Sequence, residues 1–184
     1  MILGLTGLKG SGKDTAAKYL VEKHGWVNVK FADTLKNMIR LMLSEAQYSK
    51  EMIERYVEGD LKETPLGGVF GTRDCRHLMV TLGTEWGRDL VSPNIWIDIA
   101  RAKIEGHIAN GKNVVITDLR FANELALLKS MDAITARVER GLTNTSNHPS
   151  ETFISQMDVG YILQNNKTIE HLHSAIARLV DFAK

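Results

Sequence analysis

The feature that most constrains this chain lies at its start, in MILGLTGLKGSGKDT: a short apolar run, a glycine-rich loop, then a lysine. The loop fits the phosphate-cradling pattern G-x-x-x-x-G-K-[ST] at seven of its eight positions, with Gly7, Gly12 and Lys13 in place. At the eighth, where a metal-binding hydroxyl is expected, stands Asp14, with Thr15 one place late. A buried strand that feeds such a loop and then a helix leaves few architectures open. The strand has to lie inside a sheet, and the helix has to aim its partly positive N-terminus at an anion.

The rest of the chain continues in the same grammar. Lys13 to about His24 reads as a helix stopped by Gly25, and WVNVKF (26–31) alternates like a second strand. Asp33 or Thr34 is placed to cap a helix running to about Gln47. After the charged helix KEMIERYVE comes GDLKETPLGGVFGTRD, read as an open loop that is long for a compact domain. RHLMVTLGTEWGRDL and NIWIDIARAKIEGHIANG read as helices, NVVITD as the clearest strand, FANELALLKS as a helix and AITARV as a strand. A polar loop, ERGLTNTSNHPS, separates AITARV from the last strand GYILQN, and Thr168 can cap the closing helix. Strands alternating with helices predict an α/β fold, a parallel sheet covered on both faces.

Composition narrows the function classes. With 184 residues, the chain suits one domain or one domain with a small insertion. A net charge of +1 argues against a protein held on nucleic acid by phosphate neutralisation. No apolar run approaches the ~18 residues of a membrane span, and the N-terminus lacks a secretory pattern. The single cysteine, Cys75, excludes an internal disulfide and reads as a small core residue. A cytoplasmic protein is expected, in which the Asn144 and Asn166 glycosylation patterns mean nothing.

The chemistry follows from charge placement. Consecutive backbone amides around Gly10 to Lys13 form an anion cradle, and the Lys13 side chain can reach between the outer phosphates. Asp118 ends a strand, where parallel sheets put ligand chemistry, and can hold magnesium or cap the following helix. Leu119 follows it instead of the glutamate of a motor, and Ile169 in NNKTI replaces the aspartate of a GTPase base-reading motif. Arg73, Arg76, Arg88, Arg120, Arg137 and Arg140 fall near loop or strand ends, with forked donors suited to phosphate. No general base accompanies them; His148 stands in a loop before proline, and His171 and His173 face apart. An alcohol acceptor needs a base, whereas a phosphate monoester is already anionic at neutral pH, so a phosphate acceptor fits.

Together GLKGSGKDT, FADTLK, RHLMVTLGTEWGR, ITDLRFANE, NHPSE and YILQNNKTIEHL resemble, in order and over nearly the whole chain, the bacteriophage-type deoxynucleoside monophosphate kinases of the P-loop kinase superfamily. That resemblance implies a three-layer sandwich on a five-stranded parallel sheet, with a core of about 1–33 and 112–184, a helical substrate-binding insertion of about 34–111 and a lid of about 139–151. It implies ATP with Mg²⁺ as donor and a deoxynucleoside monophosphate as acceptor. The ATP site would take in residues Lys9, Gly10, Ser11, Gly12, Lys13, Asp14 and Thr15, with Arg137 and Asn165, the latter receiving the adenine. The acceptor site would draw on Lys36, Arg76, Gly83, Thr84, Glu85, Trp86, Arg88, Arg120 and Glu124. Lys13, Asp118, Arg120, Arg137 and Arg140 would act on the transferred phosphate. An Arg-His pair, Arg76-His77, stands where two arginines are the family habit, and the region around 59–74 is short, which leaves base choice open.

Physical reasoning adds that Trp86 can stack on a base and that Glu85 and Glu124 can accept from base amino groups. Thr15 cannot replace the missing hydroxyl, because one helical step turns a side chain by about 100°. Asp14 is therefore expected to meet Mg²⁺ directly or through a water, with Asp118 helping from the sheet. Two other readings stay open: a P-loop kinase acting on dephospho-coenzyme A or a phosphorylated isoprenoid precursor, and an ATP-binding module without catalysis. Whether the chain forms a homodimer is also open.

Overall fold

The computed structural model describes residues 1–141 and 154–182. The expected lid of about 139–151, with His148, therefore lies outside the described residues from 142 onwards. The described chain forms two compact units, Met1–Phe31 with Ala100–Lys184, and Ala32–Ile99.

The first unit is built on β1 (Ile2–Thr6), buried along its whole length. It pairs in parallel with β3 (Val114–Ile116) on one side and β4 (Ile134–Glu139) on the other. The edges are β2 (Val27–Val29) and β5 (Tyr161–Gln164), giving one five-stranded parallel sheet in the order β2-β3-β1-β4-β5. On one face, Leu3, Leu5, Val115 and Val138 pack with Ala16, Ala17 and Leu20 of α1 (Lys13–His24) and with Leu172, Ile176 and Leu179 of the closing helix, here α7 (Ile169–Phe182). On the other, α6 (Ala122–Ser130) lies so close that a Cβ at Gly4 would come within 2.5 Å of Leu128. Such two-sided cover is what unbroken apolar strands require.

The second unit holds α2 (Asp33–Glu45), α3 (Lys50–Val57), α4 (Cys75–Val80) and a π-helix, Thr81–Val91. Its core is Ile39, Leu43, Ile53, Tyr56, Val57, Leu66 and Cys75. The helix α5 (Ile95–Ala109) contributes residues to both units.

Four local expectations change. The second strand is shorter than 26–31, because the Phe31 amide donates to the Asp118 carboxylate (3.0 Å) instead of to a neighbouring strand. The N-cap of α2 is Ala32, with Asp33 already in the first turn, where its charge complements the helix end. The stretch 59–74 is not an open loop. Leu66 N bonds Arg73 O (2.9 Å) and Gly67 N bonds Gly71 O (2.9 Å) around a 3-10 turn, Gly68–Phe70. Gly67, Gly68 and Gly71 all have positive φ, which explains the glycine content. Finally, 76–90 is not one α-helix. Beyond Val80 it widens to π geometry around Trp96, whose indole N–H donates to Gly83 O at 2.7 Å. A Cβ at Gly87 would stand 2.6 Å from the Trp96 ring, so only glycine admits that contact.

Candidate functional site

The glycine loop hangs between the end of β1 and the first turn of α1. Gly7, Gly10 and Gly12 have φ of 140°, 78° and 110°, values that side chains rarely tolerate. A Cβ at Gly7 would strike Val138 O at 2.4 Å. The turn is closed by Ser11 N to Leu8 O (3.1 Å) and braced from β5 by Asn165, whose Nδ2 donates to Ser11 O at 2.8 Å.

Lys13 folds back into this loop. Its Nζ donates to Gly7 O at 2.6 Å and Leu8 O at 2.8 Å. The residue is 9% exposed, and burial pushes its ammonium down to about 8, with the Asp14 charge opposing and the Arg120 charge adding to the push. Lys13 and Arg120 are thus electrostatic neighbours. A buried cation in a glycine loop, with the Arg120 charge near enough to act on it, is an attractor for an anion carrying several charges.

Asp14 projects outward from the first turn of α1, its side chain 77% exposed, with Lys30 Nζ 3.5 Å from Oδ1. Asp118, just past β3, accepts from Phe31 N, and of its two readings the helix cap falls to another residue, since the N-cap of α6 is Phe121. Glu124 Oε2 accepts from Arg120 N (2.8 Å) and Phe121 N (3.1 Å). Glu124 is 2% exposed and holds the turn that presents Arg120. Beside Asp118, the Thr117 hydroxyl is buried with no hydrogen-bond partner among the described residues.

Arg120 and Arg140 are exposed at the ends of β3 and β4. Arg137, on β4, is engaged: Nε donates to Glu139 Oε1 at 2.8 Å and Nη1 to Ser155 O and Met157 O at 3.1 Å. Lys9 and Gly10 are exposed on the loop and Thr15 is half-buried. Asn165 is 8% exposed and turns its amide to the loop.

In the second unit, Lys36 Nζ meets both Glu58 oxygens at 2.8 and 2.9 Å. Arg76 lies 3.9 Å from the exposed Glu63. Gly83, with its carbonyl taken by Trp96, and Gly87 face inward on the π-helix, while Thr84, Glu85 and Trp86 are exposed and Arg88 is half-buried. Trp86 is 40% exposed, its ring centroid 6.4 Å from that of Trp96. An open groove of about 530 Å³ beside α2, lined by Leu41, Met42, Glu45, Ala46, Val69 and Phe70, contains none of the expected residues. Lys30, Glu58 and Trp96 have contacts that the sequence did not announce. Lys30 sits in an alternating strand pattern, Glu58 in a charged helix and Trp96 in an apolar run, and none of these patterns names a partner.

Comparison with known proteins adds a separate line of evidence. A family model described as "Deoxynucleotide monophosphate kinase" matches residues 72–176. A protein of Acanthamoeba polyphaga mimivirus, named "Putative deoxynucleotide monophosphate kinase", is 33% identical over 196 residues, spanning 100% of this chain and 97% of its own. A protein of Escherichia phage T5, "Deoxynucleoside-5'-monophosphate kinase", is 37% identical over 101 residues, 49% of this chain and 38% of its own. Among solved structures, the unliganded form of a sugar kinase from Janibacter (TM-score 0.53, 13% identity, 99% of this chain and 95% of that one) is similar in fold. So is the Thermus thermophilus protein TT1252 (TM-score 0.53, 18% identity, 100% and 98%).

Proposed function

The chain belongs to the deoxynucleotide monophosphate kinase family, and from that premise we propose how its residues divide the transfer of a phosphoryl group from ATP to a deoxynucleoside 5′-monophosphate, giving the diphosphate and ADP. The observation that carries the assignment is the inward-folded Lys13, a buried cation bonded to the loop carbonyls of Gly7 and Leu8, with Arg120 acting on it.

ATP offers phosphate oxygens that take the place of those two carbonyls on Lys13, while the amides of residues 9–15 hold the inner phosphates. Arg120 and Arg140, exposed at strand ends, stabilise the charge on the transferred group. Arg137 braces the Ser155–Met157 segment through two carbonyls and adds a third positive charge nearby. Asn165 fixes the loop from β5 beside the place given to the adenine.

Magnesium fits the donor set. A magnesium ion takes one or two carboxylates and completes its shell with phosphate oxygens and water. The exposed Asp14 carboxylate and the Asp118 carboxylate supply that pair, and the described residues hold no cluster of three or more His, Cys, Asp or Glu that would suit an all-protein cage. When bound, the ion neutralises phosphate charge. Asp14 then serves as a ligand in place of a hydroxyl, and Lys30 limits its repulsion of the phosphates.

Lys36, Arg76, Thr84, Glu85, Trp86 and Arg88 serve the acceptor, with Trp86 as the stacking surface and the cations on its phosphate. No general base is required, because that phosphate is already an anion. Glu124 acts through the turn that carries Arg120.

The test is acceptor dependence. ADP should form from ATP only when a deoxynucleoside monophosphate is present, and dephospho-coenzyme A should not replace it. ATP turnover at the same rate without an acceptor contradicts the assignment.

A further inference from the structure

The geometry points to Lys62 as an unassigned phosphate-binding residue, forming with Lys36 and Arg76 the seat for the phosphate monoester of the acceptor. This inference rests on the acceptor role given above to the second unit.

Lys62 follows α3 in the stretch that the sequence presents as a glycine-rich loop. Its carbonyl accepts from Arg76 N at 3.0 Å, which ties it to the start of α4. Its side chain is partly buried, and its ammonium makes no hydrogen bond or ion pair among the described residues. Burial first, then the charges of Lys36 and Arg76, push its ammonium below the usual lysine range, while Glu58 and Cys75 push back.

The anions present are already engaged. Glu58 gives both oxygens to Lys36 and one of them also to Arg40 at 3.2 Å. Glu54 is bonded to Arg40 at 2.7 and 3.0 Å. Glu63 reaches Arg76 only at 3.9 Å, with its side chain 74% exposed. Glu54 and Glu58 are taken up by Arg40 and Lys36, and Glu63 by the exposed Arg76, so Lys62 is the cation here that has no acid of its own among the described residues. Lys62, partly desolvated and unpaired, also meets the charges of Lys36 and of the exposed Arg76, a cost that an anion with more than one negative charge removes. A phosphate monoester carries nearly two charges and three acceptor oxygens, matching an ammonium and a guanidinium fork.

The experiment uses the full chain and its Lys62→Met, Lys62→Gln and Lys62→Arg variants. Steady-state kinetics with a varied deoxynucleoside monophosphate are run beside thermal melts in inorganic phosphate. Loss of one charge-assisted contact predicts a KM for the monophosphate raised about 10- to 100-fold in Met and Gln, with the KM for ATP within about twofold and Arg recovering most of the loss. Without ligand, Met and Gln should melt at or above the wild-type temperature, because a repelled cation has been removed; a lysine with only a structural role would lower it. Phosphate should raise the melting temperature of wild type more than that of Met or Gln. An unchanged monophosphate KM in a protein that does phosphorylate monophosphates overturns the Lys62 seat and leaves the acceptor reading standing. Phosphate protection that depends on Lys62, in a protein that phosphorylates no monophosphate, does the reverse.

Discussion

Asn165 donates its side-chain amide to the Ser11 carbonyl at 2.8 Å, across a gap so narrow that a Cβ on Gly12 would lie 2.4 Å from the same nitrogen. The last strand and the first loop, 154 residues apart in sequence, are thereby clamped together. Replacing Asn165 with alanine leaves a buried carbonyl without its donor, a loss of about 1 to 3 kcal/mol. The expected result is a raised KM for ATP, and an equal rise for GTP as donor, because the clamp acts on the phosphate loop and not on the base. A loss confined to ATP would show that Asn165 reads adenine instead.

The π-helix depends on Trp96 in the same way. Trp96→Phe keeps an aromatic ring, though a smaller one, and orphans the Gly83 carbonyl; it should cost about 1 to 3 kcal/mol of stability in urea unfolding from the lost hydrogen bond alone. Gly87→Ala should cost at least as much, since its Cβ would stand 2.6 Å from the indole. An unaffected Gly87→Ala protein would mean that this segment holds no such close contact.

Cys75 provides a test by pH. Burial raises its thiol from 9.0 to about 11. In the unfolded chain the thiol ionises first, so the stability tied to its neutral form is complete below pH 9 and falls as pH rises towards 11. The stability gap between wild type and Cys75→Ala should therefore narrow over that window, and a thiol reagent at pH 8 should leave the folded protein unlabelled. A gap that stays constant to pH 11, or rapid labelling, contradicts it.

Some of this was legible in the residues and some was not, for identifiable reasons. Gly7, Gly12 and Lys13 are read from spacing because the loop's chemistry is local: each glycine answers to a positive φ of its own, and Lys13 bonds carbonyls five and six residues back. The two central strands Ile2–Thr6 and Val114–Ile116 were legible because buried parallel strands are short unbroken apolar runs, and Val27–Val29 because its neighbourhood alternates. The π-helix was not, since residues 76–90 have a helical pattern and the widening comes from Trp96, outside the segment. Phe31 reads as the end of a strand, but a carboxylate 87 residues away takes its amide. Glu124 has the composition of a base-reading acid, and only burial shows it spending an oxygen on the Arg120 and Phe121 amides. Lys62 looks like any loop lysine until its partial burial, its lack of a partner and its backbone bond to Arg76 are seen. Contacts made along the chain leave a trace in spacing, and contacts made across it do not.

The most direct measurement follows the phosphate itself. With γ-labelled ATP, magnesium and a panel of deoxy- and ribonucleoside monophosphates, the label should appear in a deoxynucleoside diphosphate. That product should fall by at least about 100-fold in Lys13→Ala, the loss expected when a charge clamp on the transferred group is removed. Label released as free phosphate at the same rate with or without an acceptor, or undiminished transfer by Lys13→Ala, would contradict the account.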